Sequence, residues 1–342
     1  MAMDERQAYL EFFGLREQPF APTADPAYFY AAQCHKDCLF RLWSSIDDRM
    51  GIAVVIGNYG TGKTTLLRKL LTGMAADTER YCVAVIGSPI PSWTSFALLE
   101  SIVAQFGLSP QEQSFVSHME ALNQFLLQNR RRICTLIIDD AQNLNKRGQL
   151  ELLRLVQNLE TQQYKLLNLV FFAQLEWIEV LRAAPNFEQR ISTTSILEPI
   201  GYEEFCQLVE FRLFQAGVTQ GLGPEFEAAA LHAIHAYAEG NPRMIVTICR
   251  NTLLAAAQLR TRQITPEIVM HTIEKTTLPD PGRRARAAAA VRESMPRAVI
   301  PPQAPNPVPV TIDRTGMTRD QRAAQMLLRA SKERQNQGAG RP

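Results

Sequence analysis

The sequence predicts an α/β fold: a parallel sheet flanked by helices, then a small all-helical domain and a disordered basic tail. Three observations carry that expectation. Up to about residue 200, short apolar runs rich in β-branched residues recur between helical patterns, as in strands buried on both faces. From Gly201 to Glu274 no strand pattern appears and helical patterns follow one another. Beyond Pro279 the composition turns to proline and arginine. With 342 residues, 46% hydrophobic and 20% charged, the chain has enough apolar surface for one large core and a smaller one.

Residues 1–50 read as an N-terminal segment leading into the core. Strands are expected at Ile52–Ile56, Tyr81–Ile86, Cys134–Ile138 and Leu167–Phe172, with a last one at Thr194–Leu197 before Pro199. Helical patterns at Thr64–Leu71, Trp93–Phe106, Glu112–Leu127 and Gly148–Leu159 separate them, so residues 51–200 form a wound α/β domain. Residues 201–276 form the helical domain, whose first helix lines up Phe205, Leu208, Val209 and Leu213. Residues 277–342 form the tail.

That tail holds nine of the twenty prolines, and from Pro281 onward twelve Lys/Arg stand against four Asp/Glu. The resulting +8 within a net charge of +2 leaves −6 for the body. Such a stretch buries too little apolar surface to offset its ordering entropy. Within it, residues 318–335 regain helical character. Thr318 and Gln321 have capping-box spacing, and Ala323, Met326, Leu327 and Ala330 follow i, i+3, i+4, i+7. This short helix reads equally as a docking peptide for a protein partner or as a weak helix without one.

No run approaches the roughly 18 apolar residues of a membrane span. The first residues carry Asp4 and Glu5 rather than a basic start and an apolar run, so neither a span nor an export signal is expected. Six cysteines are scattered without paired spacing, and Cys34-His35 with Cys38 is followed by no second ligand pair. Reduced thiols and a cytoplasmic location are expected.

The chemistry is concentrated in a few motifs. Gly57-Asn58-Tyr59-Gly60-Thr61-Gly62-Lys63-Thr64 fits the phosphate-binding loop G-x-x-x-x-G-K-[ST], between a strand-like run and a helical pattern. Its glycines let backbone N–H groups point at phosphates, at the positive end of a helix. Lys63 is expected on the β- and γ-phosphates of ATP, the Thr64 hydroxyl on Mg²⁺, and Thr65 joins the nucleotide-binding set. Asp139 and Asp140 end the apolar strand Leu136–Ile138. Asp139 is the expected Mg²⁺ ligand and Asp140 the carboxylate that polarises the attacking water; an acidic pair capping a helix is the plainer alternative. Gln174 closes the next strand, where it reaches the γ-phosphate or the water, or is a simple turn residue. Arg190 precedes the last strand, placed for a neighbouring subunit's nucleotide or for a surface ion pair. Asn241-Pro242-Arg243 has an N-cap and a proline at the first helical position, which sets Arg243 in a first turn. From there it closes onto the γ-phosphate, or caps its own helix in solvent.

Together these motifs resemble the AAA+ ATPases, specifically the ExeA/GspA-like group, over about residues 8–275. The resemblance takes in Tyr9–Leu15 with Pro19-Phe20, Asp25-Pro26 and His35 ahead of the loop. It continues through Ile138–Leu144, Ala173-Gln174, Gln189-Arg190-Ile191, Arg212-Leu213 with Ala216-Gly217, and Gly240–Arg243. It implies Asp139 as the Walker B aspartate, Gln174 near sensor 1, Arg190 as an arginine finger acting in trans and Arg243 as sensor 2. The segment from Tyr28 to His35 is implied near the adenine, and ring or spiral homo-oligomers are implied with nucleotide at subunit interfaces. In the family a glutamate usually follows the Walker B aspartate. Here it is Asp140, one methylene shorter, which implies slow or partner-stimulated hydrolysis. Tyr59 stands where a smaller or acidic residue is usual.

Two clients fit that resemblance. One is an envelope or secretion apparatus, assembled or remodelled by the ATP cycle. The other is duplex DNA, as in the TnsC-type transposition ATPases, where an ATP-bound assembly recruits a transposase. Arg130-Arg131-Arg132, Lys146-Arg147 and Arg283-Arg284-Arg286 would then meet phosphates, although such clusters also read as solvated faces.

Overall fold

The computed structural model describes residues 8–22, 25–218 and 221–294. After helix α1 (Gln33–Asp47), the chain alternates β1 (Ile52–Gly57), α2 (Lys63–Ala75), β2 (Tyr81–Ile86), α3 (Ser95–Gln105), α4 (Phe115–Gln128) and β3 (Ile133–Ile138). It continues through α5 (Arg147–Gln157), β4 (Leu167–Ala173), α6 (Trp177–Arg182), α7 (Pro185–Glu188) and β5 (Ile191–Leu197). The five strands form one parallel sheet in the order β2-β3-β4-β1-β5.

Alternation along β1 explains the two cores. Ile52, Val54 and Ile56 enter one cluster with Leu98, Leu122 and Leu153, while Ala53 and Val55 enter the other with Leu42, Leu66 and Leu70. Because both faces are covered, every residue of β1 is buried and the strand reads as a continuous apolar run. Edge strand β5 is different. It begins three residues before the expected Thr194, where Ser192 and Thr194 are exposed, and the Ser192 hydroxyl donates to the Ile52 carbonyl at 2.7 Å. One partner strand and one wet face permit those polar residues, which hid the first half of β5.

The helical part follows as α8 (Tyr202–Gln215), α9 (Ala228–Ala238), α10 (Pro242–Gln258), α11 (Pro266–Thr276) and α12 (Pro281–Ser294). A short parallel pair, Glu225–Phe226 with Gln263–Ile264, ties two of its loops and was not expected. Helix α12 corrects the tail boundary expected at residue 277. Its Ala287 is fully buried with the alanine-rich α9, and Arg283 and Arg286 both pair with Glu239 at the end of α9. Small residues on both helices allow the close approach. The expected helix at 318–335 lies outside the described residues.

The N-terminal segment also departs from the expected lead-in to the α/β core. Tyr9, Phe13 and Phe20 are buried in the helical domain's cluster with Phe205, Ile234 and Ile245. The Arg16 N–H donates to the Ala216 carbonyl at 2.9 Å and the Arg262 Nε to the Phe12 carbonyl at 3.2 Å. Residues 8–22 therefore belong with the second domain, and the chain reaches the first through residues 25–32. Among the described residues no helix is long and apolar enough to cross a membrane.

Candidate active site

The carboxyl ends of β1, β3 and β4 converge at one edge of the sheet, where an open parallel α/β sheet places its ligands. There the loop from Gly57 turns back into α2 at Lys63. Gly60 (φ +77°) and Gly62 (φ +98°) take left-handed conformations that side chains resist. The Thr61 hydroxyl closes the loop by donating to the Asn58 carbonyl at 2.9 Å. Beneath it lies His35, only 2% exposed, whose Nε2 is 2.8 Å from the Thr61 carbonyl. Burial pushes the imidazole pKa down, so the neutral ring donates Nε2–H to that carbonyl. His35 thus buttresses the loop directly, while also lining a small cavity with Tyr28, Phe29 and Tyr30.

The Lys63 ammonium is 8% exposed and donates to the carbonyls of Gly57 at 2.6 Å and Asn58 at 2.9 Å. Burial lowers its pKa, opposed by the charges of Asp139, Asp140 and Glu176. Loop carbonyls thus hold the cation inside the loop.

Across the cleft, the Thr64 hydroxyl donates to Asp139 Oδ2 at 3.2 Å and the Asp140 N–H donates to Oδ1 at 3.0 Å. Burial raises the Asp139 pKa against the pull of those donors and of Lys63. A hydroxyl and a carboxylate side by side are hard oxygen donors of the kind Mg²⁺ takes, with waters and phosphates completing its shell. Asp140 sits in the left-handed region at φ +49°, which aspartate tolerates better than most residues. Its Oδ1 accepts from Gln142 Nε2 at 3.0 Å, and Gln142 Oε1 accepts the Gln174 N–H at 3.2 Å. Gln142 therefore links Asp140 to the end of β4, a role sequence reasoning missed. Its position two residues beyond Asp140, in the turn that leaves β3, was the available signal.

The helical domain closes the site. Asn241 Oδ1 accepts the N–H groups of Arg243 at 3.1 Å and Met244 at 3.2 Å, and Pro242 takes the first helical position of α10. The same Asn241 reaches the loop, its Nδ2 donating to the Tyr59 carbonyl at 2.6 Å, while the Arg243 N–H donates to the Gly60 carbonyl at 3.3 Å. A cavity of about 360 Å³ opens between loop and helical domain, lined by Tyr59, Lys63, Thr64, Asp140, Gln174 and Arg243 among others. Thr65 also lines it; the Tyr59 side chain is largely exposed at its rim.

Arg190 is not brought to this cavity. It precedes Ile191, which pairs with the start of β1, whereas the loop leaves the end of β1. Its Nη1 donates to Gln157 Oε1 at 3.1 Å and Asn158 Oδ1 at 2.6 Å.

The glycine at position 60 yields a direct prediction. A Cβ there would stand 2.4 Å from Asn241 Oδ1 and 2.7 Å from Arg243 Cβ, at a φ that alanine resists. Gly60→Ala is expected to destabilise the protein by about 1–3 kcal/mol and to weaken ATP binding. Urea unfolding with and without ATP checks both.

The basic clusters are largely engaged elsewhere. Arg132 donates to the carbonyls of Thr78 and Tyr81, and Lys146 to those of Ser92 and Trp93. Arg284 donates to the Glu274 carbonyl, beside the Arg283 and Arg286 pairs with Glu239. Arg130, Arg131 and Arg147 remain exposed.

Residues 46–181 match the AAA domain family. Over 253 residues the chain is 35% identical to General secretion pathway protein A of Aeromonas hydrophila, a span of 72% of this chain and 45% of that protein. The chain therefore covers less than half the length of that relative. The fold is similar to that of Cdc6p from Pyrobaculum aerophilum, with a TM-score of 0.56 and 20% identity over 77% of this chain and 71% of that one. It is also similar to the ORC2 protein of Aeropyrum pernix, solved as ADPNP–ADP complexes, with a TM-score of 0.52 and 18% identity over 72% and 67% of the two chains. At these identities the solved structures speak to the fold alone.

Proposed function

Since the chain carries an AAA domain on an AAA+ fold and resembles the ExeA/GspA group, we propose that it binds ATP and hydrolyses it to ADP and phosphate. The observation that carries this is the Thr64–Asp139 contact at the foot of a phosphate loop that the helical domain grips through Asn241. In this reading Lys63 exchanges the Gly57 and Asn58 carbonyls for β- and γ-phosphate oxygens, and Arg243 closes onto the γ-phosphate. Thr64 and Asp139 would hold Mg²⁺, which would neutralise charge on the phosphates. Asp140 accepts a proton from water as its oxygen attacks the γ-phosphorus, and the bond to the bridging oxygen of ADP breaks. Gln174, tied to Asp140 through Gln142, orients that water. Mg²⁺-dependent phosphate release from ATP by the full chain tests the reading; ATP binding to a variant lacking the lysine as tightly as to the parent would sink it.

Asp140 is one methylene shorter than the usual glutamate, so Asp140→Glu is expected to raise turnover several-fold by bringing the carboxylate nearer the water. Steady-state phosphate release measures this, and unchanged or lower activity rejects the explanation. A charged group a fraction of an ångström out of line costs appreciable rate.

The client follows from the resemblance to General secretion pathway protein A. We place the ATP cycle in the assembly or remodelling of an envelope or secretion apparatus, by homo-oligomers acting from the cytosol on a protein partner, with residues 277–342 as a contact. The engagement of Arg132, Lys146, Arg283 and Arg286 in protein contacts favours this over duplex DNA. DNA stimulation of ATP hydrolysis at moderate salt, lost on neutralising Arg130 and Arg131, would reverse that preference.

A further inference from the structure

Two cavities meet between the helical and α/β domains, and both are lined by Gly62, Thr65, Arg212 and Pro242. One contains the phosphate loop. The other is walled by Tyr28, Phe29 and Tyr30 with Ile200 and Leu208. A nucleotide with its terminal phosphates on the loop and its base among those rings crosses this seam with its α-phosphate and ribose. Arg212, on α8, is the one cation among the four shared residues.

Its guanidinium is incompletely satisfied. Nη1 donates to the Pro19 carbonyl at 3.2 Å, and Cζ lies 5.9 Å from the centroid of the Tyr28 ring. Nε is buried without a hydrogen-bond partner. Among the described residues no carboxylate stands within ion-pair distance of it, and Asp25 acts on it only from beyond that reach. Burial accordingly pushes its pKa down. A half-buried guanidinium without a counter-charge is costly to keep, and an anion at the seam offsets that cost. A base or a ribose hydroxyl offers it no charge.

We propose that Arg212 binds the α-phosphate of the nucleotide, through the guanidinium charge that the protein itself leaves without a counter-charge. This rests on the reading of the phosphate loop as a nucleotide site. It gives the helical domain two separate holds on the nucleotide: Arg212 on a group that ATP and ADP share, Arg243 on one that only ATP carries. The domain then stays attached through hydrolysis while Arg243 lets go.

The test is calorimetric binding of ADP, and of the two diastereomers of ADP with sulfur on the α-phosphorus, to the full chain and its variants. Arg212→Met is expected to weaken ADP about 10- to 100-fold, the scale of a charge-assisted contact. Arg212→Lys, which keeps the charge, retains part of the affinity. The parent is expected to bind one diastereomer more weakly, because sulfur accepts hydrogen bonds poorly, and Arg212→Met narrows that gap. ADP affinity of Arg212→Met within twofold of the parent, or an unchanged gap, overturns the proposal. So does an equal loss in both variants accompanied by a lowered melting midpoint without nucleotide, which marks a purely structural arginine. Lys63→Ala run alongside separates the two readings. If it leaves ADP binding intact, the nucleotide site itself is wrong; if it lowers binding while Arg212→Met does not, only the α-phosphate contact fails.

Discussion

Lys63→Ala is expected to weaken ATP binding about 100-fold or more and to remove hydrolysis, while the fold survives. The ammonium is the one cation set within the loop itself, held at 2.6 Å and 2.9 Å by two loop carbonyls that water or bound nucleotide replaces. Its removal deletes charge-assisted hydrogen bonds to two phosphates, each worth about 1.5–3 kcal/mol, so the two together account for a loss of that size. The hydrophobic clusters on either side of β1 do not depend on its charge, so far-UV circular dichroism and the melting midpoint without nucleotide should stay close to the parent's. Equilibrium dialysis with labelled ATP reads the loss.

Arg190→Ala is expected to lose about 10³–10⁵-fold in turnover, the range of arginine fingers, while ATP binding stays within a fewfold of the parent. In its own subunit Arg190 lies at the start of β5, bonded to Gln157 and Asn158 and apart from the cavity. It therefore contributes nothing to binding in a monomer. The two variants complement each other in this account. Subunits of Arg190→Ala load nucleotide but lack the finger, and subunits of Lys63→Ala carry the finger without nucleotide. Mixing them should restore part of the activity. A mixture as inactive as its components would show that Arg190 does not act between subunits.

The two largest expectations come from residues legible in the sequence, for a physical reason. A phosphate loop must be glycine-rich, must end in Lys-Ser or Lys-Thr and must join a buried strand to a helix, so spacing and local context identify it. The strands buried on both faces were equally plain, because apart from Thr135 and Asn168 their buried positions are apolar. Edge strand β5 was half hidden by Ser192 and Thr193, which one-sided pairing permits. Helix α12 was read as tail because its arginines looked solvent-bound; the carboxylate that receives Arg283 and Arg286 is Glu239, more than forty residues away in sequence. The aromatic residues of the N-terminal segment announced a core without saying which, and the choice fell to contacts with residues beyond 200.

Within the site, the pattern of success is similar. Asn241 and Pro242 cap α10 as local rules require, but the second bond of Asn241, to the Tyr59 carbonyl, spans 182 positions and has no local trace. The same bond gives Tyr59 a structural account: its backbone, rather than its exposed ring, is what the helical domain holds. Gln142 and Arg212 also act at long range. Each is an ordinary polar residue in its own segment, and only the folded chain sets one against the Gln174 N–H at the end of β4 and the other between two cavities.

We hold that this loop hydrolyses ATP when subunits come together. Phosphate release per subunit by the full chain, with ATP and Mg²⁺, measured from dilute protein to concentrations where it assembles, tests that claim most directly. The account predicts activity per subunit that rises steeply as assembly sets in. Activity per subunit that stays constant across the range would contradict it.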